Sequence, residues 1–110
     1  MGMQTDENET PIMRQYLALK RELPVGTILL MRLDDYFETF GEDALIASPL
    51  MGTALTLRNG RPMTRFPYYS VNSYLAKLVR AGKTVALADV AQKNGCGRLA
   101  RREVFRVIAP

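Results

Sequence analysis

Apolar positions fall into short blocks along the chain, and their spacing predicts the elements. Residues 1–9 (MGMQTDENE) are polar, acidic and aperiodic, so a disordered tail is expected there. Thr10 followed by Pro11 is a helix start, with Thr as N-cap and Pro at the first helical position. Ile12, Tyr16, Leu19 and Leu23 recur at helical spacing up to Pro24, so one face is buried and Arg14, Lys20 and Arg21 are expected in solvent. Residues 27–33 (TILLMRL) are short and mostly apolar, which predicts a strand covered on both faces at the centre of a sheet. Residues 34–40, acidic and aromatic, read as a turn. Residues 42–47 then read as a short helix that ends before Pro49 and the Gly52 break.

Two strand-like stretches, 54–58 and 61–66, flank Asn59-Gly60, the strongest short hairpin signal, and Arg58, Arg61 and Arg65 make this hairpin basic. Ser70 is the expected cap of a third helix with Val71, Tyr74, Leu75, Leu78 and Val79 on its apolar face and Gly82 at its end. A buried strand over 84–90, a glycine-containing loop over 92–97 and a last strand over 101–108 with its basic residues exposed complete the pattern. Strands alternate with helices until the hairpin interrupts them. The expected class is therefore α/β (α+β), a mixed β-sheet flanked by helices, in one domain covering 10–110.

Composition changes this picture in two ways. The chain has 110 residues, enough for one modest core, and carries no His and a single Cys, Cys96. That excludes imidazole catalysis and argues against an internal disulfide or a Cys/His zinc site, so neither a metal nor a cofactor is expected. Its longest apolar run in the N-terminal half, 28–31, is far too short to span a membrane, and an acidic N-terminus does not suit a secretory signal; a cytoplasmic location is expected. Charge is uneven: residues 1–57 hold four basic and nine acidic side chains, whereas 58–110 hold eleven basic and two acidic ones. A half of net charge +9 attracts phosphate, although an Arg- and Lys-rich surface is also simply a soluble one.

Four stretches, in order, resemble the N-terminal mismatch-recognition domain of the MutS family of DNA mismatch-repair proteins. They are Thr10-Pro11-Ile12-Met13-Arg14-Gln15-Tyr16-Leu17; Arg32-Leu33-Asp34-Asp35-Tyr36-Phe37-Glu38-Thr39-Phe40; Leu55-Thr56-Leu57-Arg58 with Pro62-Met63 and Pro67-Tyr68; and Tyr74-Leu75-Ala76-Lys77-Leu78-Val79 with Val85-Ala86-Leu87 and 102–108 after it. The second is similar to the family's Arg-Met-Gly-Asp-Phe-Tyr-Glu-Leu-Phe, in which the first aromatic wedges into the minor groove and the Glu bonds the mispaired base. A mispaired step stacks poorly and kinks cheaply, which is what such a wedge exploits. The resemblance implies duplex DNA, matched or mispaired, as partner, with Tyr36 as wedge, Glu38 as base contact, and no enzymatic activity. The family's clamp, lever and ATPase parts lie outside the matching residues.

The site matches the family less well than the framework does. Tyr36 stands for Phe, Asp34 for Gly, Thr64-Arg65 for Ala-Gly, Tyr69 for His, and Ala88-Asp89-Val90 for Cys-Glu-Gln. From the residues alone, Tyr36, Phe37 and Phe40 fit core aromatics as well as a wedge, and Asp34 and Glu38 fit capping or solvated carboxylates. Arg58, Arg61 and Arg65 fit phosphate contacts or a solvated edge, and Met63 fits groove lining or core. Asp34, Asp35 and Glu38 suggest magnesium ligands of a nuclease, but nothing in the sequence fixes their geometry and a capped acidic turn explains them as well, while Gly82-Lys83-Thr84 lacks both the earlier glycine and the strand-to-helix context of a phosphate loop. The rival to DNA binding is a protein-interaction or regulatory module of the same fold, with a repair protein or a second copy as partner.

Overall fold

The computed structural model describes residues 9–91 and 100–110. Helix α1 (Pro11–Arg21) opens as expected, with the Thr10 hydroxyl accepting from the Met13 N–H at 3.1 Å. Strand β1 (Ile28–Leu33) follows and is buried at five of its six positions. Strand β2 (Tyr36–Phe40) returns antiparallel to it, with Met31 opposite Glu38 and Leu33 opposite Tyr36. The predicted turn over 34–40 is therefore a strand entered through a two-residue turn, made possible by the left-handed backbone of Asp34 at φ 55°. Alternation fails as a signal in β2 because both of its faces are covered: every residue from Phe37 to Phe40 is buried.

Helix α2 runs over Gly41–Met51, longer than the sequence suggests, and contains Pro49. Proline is tolerated there because it lies on the exposed side of the last turn, where the carbonyl it leaves unbonded can face water. The helix ends instead at Gly52, in the left-handed conformation at φ 74°, whose N–H bonds the Ser48 carbonyl at 2.8 Å. Strands β3 (Thr56–Arg58) and β4 (Arg61–Pro67) form the expected hairpin, with Asn59 and Gly60 at φ 52° and 77°, the positive pair a tight primed turn needs. A single 3-10 turn, Tyr68–Ser70, leads into α3 (Val71–Arg80); Ser70 precedes the helix without a capping bond from its hydroxyl. Strands β5 (Val85–Val90) and β6 (Arg102–Ile108) complete the fold.

The six strands form one sheet in the order β3-β4-β2-β1-β5-β6, with only β1 and β5 parallel. Helices α2 and α3 cover one face, where Ala47, Met51, Leu75 and Leu78 pack on Ile28, Leu30, Phe37, Phe66, Val85 and Leu87. Helix α1 covers part of the other, where Met13 and Tyr16 pack on Leu29, Met31, Leu33, Phe40 and Met63. The Gln15 side chain ties α1 to the edge of β6, donating to the Ala100 carbonyl at 3.1 Å and accepting from the Arg102 N–H at 2.9 Å. Arg102 itself departs from expectation: it is buried, its guanidinium donating to the Arg32 and Ala100 carbonyls at 2.7 Å each. The loop over 92–97, with Cys96, and tail residues 1–8 lie outside the described residues.

Lys20, read as solvated, instead closes a buried polar network. Its ammonium donates to the Thr27 carbonyl at 2.6 Å and to Asp43 at 3.0 Å, while Asp43 also accepts from the Tyr16 hydroxyl at 2.7 Å and the Leu29 N–H at 3.0 Å. Burial, and then the Asp43 charge, push the Tyr16 phenol well above its ordinary value of 10.0. The folded state thus holds this proton more tightly than the unfolded chain does. Its contribution is intact below about pH 10 and is lost as pH rises from there through the folded value. Tyr16→Phe should remove that part of the alkaline loss, which urea midpoints measured from about pH 9 to about pH 11 will show. An unchanged alkaline slope would mean that other groups carry it.

Candidate nucleic-acid interface

Side chains that face each other across adjacent strands share one side of the sheet, so register alone assembles the site. Glu38 pairs with Arg65, Phe40 with Met63, Tyr36 with Pro67, and Arg58 with Arg61 across the hairpin. All six sequence-predicted residues, Tyr36, Glu38, Arg58, Arg61, Met63 and Arg65, therefore lie on the face that carries α1. That helix packs over β1, over Phe40 and Met63, and against β6, and leaves Tyr36, Arg58, Arg61 and Arg65 partly exposed beside it.

Met63 does not reach this surface. It is 5% exposed and packs in the cluster under α1, so it supports the site from below. Glu38 is also buried, at 1%, and each of its oxygens faces an arginine: Oε1 accepts from Arg58 Nη1 at 2.8 Å and Oε2 from Arg65 Nη1 at 3.4 Å. Arg65 in addition lies over the Tyr36 ring, its guanidinium carbon 4.0 Å from the centroid. Arg61 is held from the N-terminal side by Glu9, which accepts two bonds from Nη2 at 2.9 and 2.7 Å. Among the core aromatics proposed as an alternative, Phe37 and Phe40 are buried, whereas Tyr36 is half-buried at the sheet's end.

These pairings change the electrostatics of the hairpin. Three arginines meet two carboxylates there, so the patch presents about one net positive charge at short range where the sequence suggested three. The arginine side chains remain 32%, 31% and 42% exposed for Arg58, Arg61 and Arg65, and a guanidinium has five N–H donors, more than these contacts use. Arg58 and Arg61, with short carboxylate bonds, can thus keep their partners and still offer donors to an acceptor at the surface. Among the described residues, no three His, Cys, Asp or Glu side chains are grouped to hold a metal ion.

Several contacts escape sequence reasoning. Arg32, at the same end of the sheet as Tyr36, lies 3.8 Å over the Tyr68 ring and 3.5 Å from Asp89. Thr64, where the family resemblance has Ala, donates to the Ala54 carbonyl at 2.8 Å and ties down the approach to β3. Asp43 left no signal either: α2 buries Ser48 and exposes Leu45, Ile46 and Leu50, so it has no polar face against which a buried carboxylate stands out.

The mixed six-stranded sheet with two helices on one face and one on the other defines a small α/β domain. Its sequence matches the family model of MutS domain I over residues 10–110, and the chain belongs to that family. It is 46% identical over 102 residues to the DNA mismatch repair protein MutS of Thermotoga petrophila, covering 92% of this chain and 13% of that protein. It is 42% identical over 107 residues to the MutS of Leptospira interrogans, and 39% over 108 residues to that of Treponema pallidum, each covering 12% of the relative. The chain thus spans about an eighth of the curated relatives it matches. No helix among the described residues is long and apolar enough to cross a membrane.

Proposed function

We propose that this domain binds duplex DNA through the β2-β4-β3 face and prefers mispaired or easily deformed steps, with Tyr36 as the minor-groove wedge and Glu38 as the carboxyl beside the base. The observation that carries the reading is the placement of Tyr36, Glu38, Arg58 and Arg65 side by side on one face of the sheet, with the ring and both guanidinium groups partly exposed over the buried carboxylate. The wedge ring is half-buried, and Glu38, two residues on, lies on the same side of the strand with its oxygens held by Arg58 and Arg65. Arginines next to both can take backbone phosphates, which position the domain without reading sequence. Selectivity then comes from how cheaply a mispaired step unstacks.

A single module of this size offers about 600–1,000 Å² of interface, and its phosphate contacts are few, so affinity should be modest. With up to three arginines on phosphate, the logarithm of the binding constant should fall with that of salt at a slope of at most about 3 in magnitude. Tyr36→Ala should abolish the preference for a mismatched over a matched duplex while leaving matched binding nearly unchanged. Anisotropy titrations of both duplexes at several salt concentrations measure this, and equal losses on the two would remove the wedge role.

A second reading has its own support. Both Glu38 oxygens are already engaged, and Leu45, Ile46 and Leu50 lie exposed on α2. A protein-interaction module, docking a repair protein or a second copy, would have both features. It becomes the leading reading if neither duplex binds at low salt.

A further inference from the structure

We propose that Arg65 is a specificity-determining gate: it holds the Tyr36 ring and the Glu38 carboxylate closed until a backbone phosphate draws its guanidinium away. The inference deepens the DNA-reading function above and rests on it. One side chain occupies both groups that would touch a base. Its Nη1 sits 3.4 Å from Glu38 Oε2, and its Cζ sits 4.0 Å over the Tyr36 ring centroid. A base stacking on that ring face, or bonding that oxygen, must first displace it.

The two arginines on Glu38 are unequal, and the inequality decides which one moves. Arg58 makes a 2.8 Å bond, the usual length for a charge-assisted pair, whereas the Arg65 contact is 3.4 Å and its side chain is more exposed, 42% against 32%. When Arg65 leaves, Glu38 keeps Arg58, so opening does not strand a buried charge. A phosphate accepts a guanidinium in bidentate geometry, which the long Glu38 contact does not provide. Phosphates of any duplex compete for Arg65, but only a deformable step inserts at the ring and the Glu38 oxygen, so only that complex requires the guanidinium to leave and bears the cost of its leaving.

The test compares wild type, Arg65→Ala and Arg65→Lys, each verified as folded by its thermal melt, on matched and mismatched fluorescent duplexes at low salt. Arg65→Ala should raise the ratio of mismatched to matched affinity about three- to tenfold, the range expected for losing one exposed cation–π contact and one weak ion pair. Matched binding should fall as a phosphate contact is lost. Arg65→Lys keeps the charge without the planar fork, so it should raise the ratio while weakening matched binding less than Arg65→Ala does. A ratio unchanged or lowered in both variants, with all three proteins binding DNA, overturns the gate and leaves the DNA-reading function standing. If none of the three binds either duplex, the DNA-reading function falls and the gate falls with it.

Discussion

Arg58→Glu should destabilise the domain by about 3–5 kcal/mol, a large share of the roughly 5–15 kcal/mol that holds a domain of this size together. Glu38 is 1% exposed in the middle of the sheet, and Arg58 is its closest cation at 2.8 Å. The substitution removes that partner and sets a second carboxylate against the first, leaving only the 3.4 Å contact to Arg65. Arg106→Glu, on an exposed position of β6, is the control and should change stability by no more than about 0.5 kcal/mol. Urea unfolding midpoints compare the two. Equal losses would mean that the Glu38–Arg58 pair contributes nothing to the fold. A practical consequence follows for DNA binding: charge reversal at Arg58 tests the sheet as much as the ligand, so Tyr36 and Arg65 are the better probes.

Asp43→Ala should be of similar size, about 3–5 kcal/mol. The carboxylate accepts the Leu29 N–H of a central strand, the Tyr16 hydroxyl and the Lys20 ammonium, joining three elements that are distant in sequence. Without it, a buried N–H, a buried hydroxyl and a partly buried cation lose an acceptor together. Asp43→Asn can still accept one of these bonds but supplies no charge to Lys20, so it should recover only part of the loss. The same urea titration orders the variants. Asn and Ala substitutions of equal cost would show that charge at this position is immaterial, and a loss below about 1 kcal/mol for Ala would show that water replaces the network.

Most of the architecture was legible because short-range chemistry wrote it. Thr10-Pro11 starts α1, Asn59-Gly60 turns the β3-β4 hairpin, and the apolar runs of β1 and β5 announce buried neighbours. Errors occurred where tertiary burial overrode a local signal. Acidic and aromatic residues over 34–40 resemble a turn until both faces of β2 are covered, and Pro49 resembles a helix end until its place on the exposed side of α2 is known. Lys20 and Arg102 read as solvated because a sequence does not show the carbonyls and the carboxylate waiting for them.

The sequence by itself determined most of the elements and the family resemblance, and it named Tyr36, Glu38 and the three hairpin arginines as candidates. Only the tertiary structure decided that Arg65 stands opposite Glu38, that Arg58 holds the other oxygen, and that Glu9 reaches Arg61. The reason is physical: periodicity fixes which side of a strand a residue occupies, but partners 20 to 52 positions apart meet only when strand register is set by the packed core.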